Sequence, residues 1–161
     1  MLFGADRVVL QAVVVEGAPK PDISSAESIK RALLAAKTIA YSDSASGVYV
    51  STEMFGKLGI ADAMKDKARK IPATPVGEIV ARGEAELGFQ QISEMLPVPG
   101  IDIVGQLPPE LQKITVFAAG IATGSKEPEA GRALIKFLAS PAASAAIIKS
   151  GMEPIPATAT N

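Results

Sequence analysis

The sequence predicts an α/β fold in which mixed, mainly parallel sheets carry helices on both faces. Strand-like apolar runs alternate with helix-like patterns, and this order is typical of parallel strands joined by helices. Hydrophobic residues make up 48% of the 161 residues, which is enough to bury a core of domain size. Glycines and prolines separate the patterns, so the element order can be predicted from the chain alone.

The first three elements follow from local patterns. Arg7–Val15 is almost continuously apolar and β-branched, as in a strand buried on both faces. Ser24 and Glu27 have the spacing of a capping box, and the periodic apolar residues after them predict a helix. Lys37–Ser42 is a short run that predicts the second strand.

The middle of the chain predicts three helices and a strand. The next periodic segment predicts a helix that ends at Gly59. Ala61–Lys70 predicts a charged, solvated helix. Thr74 followed by Pro75 is a favourable cap and first-turn pair for a third helix, which is predicted to end at Gly83. Ala85–Gln91 predicts a strand.

The last third begins at Leu96–Gly100, a proline-rich break and the predicted internal boundary. Beyond it, two strands separated by Pro108 and Pro109 precede two C-terminal helices, Glu127–Ser140 and Ser140–Gly151. No continuous apolar run approaches the length of a membrane span.

Composition excludes several classes of function. The chain has no His and no Cys, so serine–histidine and cysteine–histidine catalysis, disulfides and Cys-based metal sites are ruled out. Sixteen basic and seventeen acidic residues leave a formal charge of -1, so no nucleic-acid partner is expected. No cofactor or metal is implied. A binding domain is therefore favoured over an enzyme.

A cluster of small polar residues lies where the second strand meets a helix: Ser42, Asp43, Ser44, Ser46 and Gly47. The first amides of a helix are unpaired and its N-terminal dipole is positive, so an anion is stabilised there. Small side chains also let a ligand approach the backbone. Two interpretations stay open, a helix capped by its own serines and an anion-binding loop.

A second helix start, Thr74–Val76, is the natural partner of this corner. In open α/β sheets ligands lie outside the carboxyl ends of strands, so the two helix starts can hold one anion between them. Gln90 and Gln91 end a predicted strand and offer neutral side-chain donors. Ordinary capping and loop contacts remain the competing interpretation.

Three carboxylates lie near these corners in the sequence, Asp43, Glu78 and Glu94. Two that converge can move a proton in an isomerase-type reaction. Their spacing does not show that they meet, so surface acids are the competing interpretation.

The chain resembles the molybdate-binding family of ABC transporters, among the type 2 periplasmic solute-binding proteins. Three segments carry the resemblance: IAYSDSASGVYVSTEMFGKLGI, TPVGEIVARGEAELGFQQISEML and KITVFAAGIATGSKEPEAGRALIKFLASPAASAAI. It implies a two-lobed fold whose first lobe is incomplete, since the chain begins after that lobe's first strands. The implied division is residues 1–20 for a crossover strand and remnant of lobe one, 21–96 for lobe two, and 97–161 for the return crossover and the C-terminal part of lobe one.

The resemblance also implies a ligand and its contacts. A small anion, either an oxyanion such as molybdate or a small carboxylate, is expected at Ser44, Ser46, Gly47, Val76 and Gln91. Ser46 stands where the family has Ala, and Gln91 stands where the family has a ligand-binding Tyr. The Gln at position 91 weighs against molybdate itself, and a carboxylate-bearing metabolite is the alternative ligand.

Partners and an alternative activity follow from the same resemblance. It implies a periplasmic location and delivery of the ligand to an ABC transporter permease, although the N-terminal residues lack the pattern of a secretory signal. A homo-oligomer formed through the incomplete lobe is expected, because uncovered sheet edges and apolar surface favour association. The superfamily is also similar to an aconitate isomerase. The alternative function is therefore a tricarboxylate isomerase in which Asp43 or Glu78 moves the proton.

Overall fold

The computed structural model describes residues 3–155, and within this range the chain forms seven strands and eight short α-helices. The strands are β1 (Phe3–Val15), β2 (Ile39–Ser42), β3 (Ala68–Ile71), β4 (Leu87–Gln91), β5 (Ile101–Gln106), β6 (Ile114–Ala119) and β7 (Glu153–Ile155). The helices are α1 (Ala26–Ala35), α2 (Ala45–Tyr49), α3 (Phe55–Lys57), α4 (Ala61–Met64), α5 (Val76–Ala81), α6 (Ile92–Met95), α7 (Pro128–Leu138) and α8 (Pro141–Lys149). A π-helical turn, Val50–Met54, joins α2 to α3, and a 3-10 turn spans Pro109–Leu111.

The sheet is mixed, as the sequence predicts, but the expectation that it is mainly parallel is wrong, since three of the five strand pairs whose direction is described are antiparallel. Its strand order is β3-β2-β4-β1-β5, and β6 and β7 also pair with β1. The pairs β2–β3 and β2–β4 are parallel, whereas β1 is antiparallel to β4, β5 and β7. The parallel part is therefore the three-stranded group β3-β2-β4, whose carboxyl ends lie at one edge.

The chain divides into two compact units. The larger unit is Val9–Lys113, and the smaller unit combines residues 1–8 with 114–161. The long strand β1 contributes to both. The division into 1–20, 21–96 and 97–161 stays a prediction.

Two hydrophobic clusters form the core of the larger unit, one on each face of its sheet. Leu10, Ala12 and Val14 of β1 pack into the first cluster, which also contains Phe89. Val13 packs into the second, because successive strand residues point to opposite faces. Helices therefore cover both faces of this sheet.

The smaller unit buries few of its apolar side chains. Both faces of β6 are largely exposed, and Ile135 and Ile147 are the buried large side chains of α7 and α8. Large apolar side chains remain exposed on the three elements: Ile114, Val116, Phe117, Leu134, Phe137, Leu138 and Ile148. This unit therefore presents extensive uncovered apolar surface.

Within the described residues no single helix is long and apolar enough to cross a membrane. Taken together, the bent helix pair α7–α8 is long and apolar enough to cross one, by length and composition alone.

The predicted helix over Ala61–Lys70 is wrong. Helix α4 ends at Met64, and Ala68–Ile71 is the edge strand β3, paired with β2. Charged side chains such as Arg69 and Lys70 are common on sheet edges, because they discourage pairing with a further strand. In the sequence the same charges resemble a solvated helix face.

The predicted capping residues also differ. Ser25, not Ser24, is the N-cap of α1, and its Oγ accepts a hydrogen bond from Ser28 N at 3.1 Å. Thr74 does not cap α5, whose N-cap is Pro75. The predicted helix ends at Gly59 and Gly83 are confirmed, since both adopt positive φ, +67° and +72°.

Candidate functional site

Three serine hydroxyls meet at the carboxyl end of β2. Ser42 Oγ lies 2.8 Å from Ser44 Oγ and 3.2 Å from Ser46 Oγ, and the last two atoms are 3.2 Å apart. Ser42 and Ser46 are buried, whereas Ser44 is half-buried. Since each hydroxyl has one proton and two acceptor positions, the Ser44 proton can point into the triangle or outwards to a ligand.

The start of α2 has no side-chain cap. Ser44 is its N-cap residue, with extended backbone, but makes no capping hydrogen bond. The first helical bond is Val48 N to Ser44 O at 3.0 Å, so the amides of Ala45, Ser46 and Gly47 precede it. The interpretation in which Ser44 caps its own helix is therefore wrong.

Gly47 has a packing reason for its small size. A Cβ added there would lie 1.6 Å from Ser42 O and 2.5 Å from Ser42 C. The first turn of α2 thus sits directly on the backbone of β2, in space that no side chain can share. This contact, rather than ligand approach, requires glycine at position 47.

Gln90 stabilises the start of α5. Its Oε1 accepts a hydrogen bond from Val76 N at 2.7 Å, in a buried position, so the strand β4 supplies the cap that was expected from Thr74. This bond fixes the side-chain amide of Gln90 at the edge where β2 and β4 end. Gln91 is also buried and, as the next strand residue, points to the opposite face.

An open pocket of about 410 Å³ joins the two helix starts within the larger unit. Its lining residues are Ser42, Asp43, Ser44, Ala73, Thr74, Pro75, Gln90, Glu94 and Pro97. The expected convergence of the two corners on one space is therefore present. Among these described lining residues are two carboxylates and no lysine or arginine, so an anion here depends on neutral donors.

The predicted contacts are distributed unevenly around this pocket. Ser44 and Asp43 line it. Ser46, Gly47 and Val76 are buried residues of the adjoining helix starts and, like Gln91, are outside the lining. The pocket brings in Gln90 instead of Gln91.

Glu78 lies elsewhere. It lines a neighbouring pocket together with Arg82, and its carboxylate is 3.6 Å from that guanidinium. Asp43 and Glu78 therefore do not share a pocket. The carboxylate that accompanies Asp43 is Glu94.

Glu94 has a distinctive environment. It is half-buried on α6, and its Oε2 is enclosed with no hydrogen-bond partner among the described residues. The sequence placed Glu94 near the corners without selecting it as a site residue. The available signal was its position three residues beyond the strand that carries Gln91.

The sequence matches the family described as bacterial extracellular solute-binding protein over residues 7–153. A curated relative, aconitate isomerase from a Pseudomonas species, is 53% identical over 144 residues, which cover 89% of this chain and 55% of the relative. The chain thus spans about half the length of that relative.

Solved structures of solute-binding proteins share the fold. The substrate-binding domain of a molybdenum ABC transporter from Clostridium difficile matches with a TM-score of 0.70 and 19% identity, over 92% of this chain and 64% of that one. A periplasmic thiamin-binding protein matches with a TM-score of 0.67 and 17% identity, over 99% and 55% of the two chains. These neighbours confirm the predicted fold class, and their different ligands leave molybdate specificity open.

Proposed function

This chain belongs to the bacterial extracellular solute-binding protein family, and we propose that it binds a small carboxylate-bearing anion in the pocket between Ser44 and Gln90. The observation that carries this proposal is the convergence of the two helix starts on one space. Ser44 Oγ and the Gln90 amide are neutral donors suited to a carboxylate. The helix start behind Ser44 adds the unpaired amides of Ser46 and Gly47.

A small carboxylate fits this pocket better than molybdate. Asp43 and Glu94 both line it, so an anion with full charge on every face meets repulsion there. A carboxylate metabolite confines its charges to planar carboxylate groups and can turn an uncharged methylene or hydroxyl group towards the acids. Gln91 and Val76 do not line the pocket. Val76 N donates a hydrogen bond to Gln90, and Gln91 is buried on the other face of the strand.

Transport supplies the biological role in this proposal. Ligand binding in the periplasm is followed by delivery to an ABC transporter permease, with no cofactor involved. The exposed apolar surface of the smaller unit supports a further contact, with a second copy of the chain, because such surface favours association.

Calorimetry tests ligand binding. We expect heat on titration with citrate or another tricarboxylate, and weaker or no heat with molybdate and sulfate. Ser44→Ala should weaken binding about tenfold through loss of one hydrogen bond to a charged group. Ser51→Ala is the matched control, since its hydroxyl bonds the carbonyl oxygens of Gly47 and Val48. Absence of heat with every carboxylate and oxyanion refutes the proposal.

The second candidate function is isomerisation of an unsaturated tricarboxylate, favoured by the 53% identity to an aconitate isomerase. Asp43 lines the pocket and is the better placed of the two carboxylates first considered, because Glu78 lies in the neighbouring pocket beside Arg82. Conversion of cis- to trans-aconitate, followed by chromatography, should be lost in Asp43→Asn and retained in Glu78→Gln. Binding without turnover excludes this function.

A further inference from the structure

We propose that Gln11 is a second anion contact beside the pocket, and that the ligand therefore carries at least two carboxylates. This inference rests on the proposed function, since Gln90 of the same pocket holds the first carboxylate. It adds a contact residue on a further strand and states how many carboxylates the ligand needs.

Gln11 is an unusual residue for its place in the chain. It is the only polar residue of residues 8–15, VVLQAVVV, and it is 8% exposed. Among residues 3–155, which the structure describes, its side-chain amide makes no hydrogen bond, although buried polar groups nearly always have a partner. The enclosed side-chain atom without a partner in this range is Glu94 Oε2, so the amide of Gln11 keeps access from outside. A ligand can therefore supply its missing partner.

Strand pairing places Gln11 beside Gln90. The two residues are direct partners in the antiparallel pair β1–β4, so their side chains lie on the same face with Cβ atoms about 4.5–5.5 Å apart. The pair Val13 and Gly88 lies further along the strands, where Val13 packs in the apolar cluster that also contains residues of α5. Gln11 lies beyond that cluster, at the edge where β4 ends and Gln90 lines the pocket.

The two amides suit two different carboxylates. The oxygen of Gln90 is occupied by Val76 N, so its NH₂ group is the part left to donate. Strand β4 lies between β2 and β1, so Ser44 and Gln11 flank Gln90 on opposite sides. A carboxylate held between Ser44 and Gln90 is thus about one strand spacing, 4.7–4.9 Å, from Gln11. A second carboxylate fits there, on the side of β4 away from the strand that precedes Asp43.

Glutarate and pentanoate test this inference, because they share one chain length and differ in a single carboxylate. Calorimetric titration of the intact chain should show glutarate binding about 10-fold more tightly, the effect of one hydrogen bond to a charged group. In Gln11→Met the ratio should fall to about 1 through weaker glutarate binding. The urea midpoint of this variant should not fall, since the amide has no partner within the described chain. Gln106→Met alters the exposed neighbour of Gln11 on β5, further from the pocket, and should keep the wild-type ratio.

The outcomes separate the two proposals. Equal binding of glutarate and pentanoate by the wild type overturns the role of Gln11 and leaves carboxylate binding intact. An unchanged ratio in Gln11→Met, or an equal drop in Gln106→Met, overturns it as well. So does heat with citrate but with neither test compound, whereas no heat with any carboxylate overturns both proposals.

A second measurement applies if circular dichroism shows that Gln11→Met is unfolded. In ¹⁵N nuclear magnetic resonance spectra of the wild type, the side-chain amide signal of Gln11 should shift on saturation with glutarate and stay in place with pentanoate. A signal that glutarate leaves unshifted overturns the inference.

Discussion

Replacing Gly47 by Ala should destabilise the fold severely, because the new methyl group meets backbone. The added Cβ would lie 1.6, 2.5 and 2.9 Å from the O, C and N atoms of Ser42. The backbone of Ser42 lies at the end of β2, between β3 and β4, and cannot rotate away as a side chain can. Restoring an ordinary contact requires the start of α2 to move by about 2 Å from β2.

That displacement determines how much free energy of unfolding the variant should lose. Overpacking of a core costs about 1–3 kcal/mol when side chains can yield, and we expect about 4 kcal/mol here because they cannot. With a urea dependence of about 2 kcal/mol/M, the unfolding midpoint of Gly47→Ala should fall by about 2 M. The assay is urea unfolding followed by circular dichroism.

Gly56→Ala is the matched control in the same helical segment. An added Cβ there meets no atom within 4 Å, so the variant should gain up to about 1 kcal/mol from helix propensity. The reasoning is refuted if Gly47→Ala unfolds at the wild-type midpoint. Equal losses in both variants would also refute it, since they would reflect the helix rather than the contact with Ser42.

Two further predictions rest on single contacts, and a third rests on exposed apolar surface. Hydrogen bonding from Ser28 lowers the pKa of Asp22 from 3.8 to about 2. The stabilising effect of the Asp22 carboxylate is therefore complete above pH 3.8 and is lost as the pH falls through 2. Thermal melts of Asp22→Asn should lack this dependence on acid pH. Gln90→Met leaves the buried Val76 amide unpartnered and should cost about 1–3 kcal/mol in urea unfolding. Light scattering at micromolar concentration should give a mass above that of the monomer, and Phe137→Ser should lower it.

Each of these has an opposing result. If the melting temperatures of Asp22→Asn and the wild type fall equally as the pH is lowered, the first prediction is contradicted. Asp66→Asn, which removes a different acid, is the control. Wild-type stability of Gln90→Met would show that the Val76 amide finds another partner. A monomeric wild-type mass across the micromolar range would rule out association through the smaller unit.

Local sequence patterns correctly predicted the elements that are determined by residues close together in the chain. The strand Arg7–Val15 is apolar on both faces, and the helix ends at Gly59 and Gly83 need a left-handed residue, which glycine supplies most easily. The edge strand β3 was missed because its identity depends on pairing with β2, a neighbour distant in sequence. Local charge alone indicated a helix.

The site was predicted in outline, and its lining was predicted in part. Small residues at Ser44 and the following helix start were sufficient to locate the corner. The choice between Gln90 and Gln91 depends on which face each residue of β4 presents, and the resemblance favoured the other one. Glu94 depends on where the short helix α6 begins, which no pattern in the sequence specifies.

Backbone amides should exchange with solvent at different rates in the two units, because the units bury different amounts of apolar surface. Both hydrophobic clusters lie within Val9–Lys113, so the amides of β2 and β4 should open to solvent only in global unfolding. The amides of β6, α7 and α8 lie among few buried apolar contacts and should exchange through local opening at much lower free energy. Because β1 passes through both units, the protection of its amides should rise along a single strand, and that gradient would mark the border between a rigid and a readily opened part of the molecule.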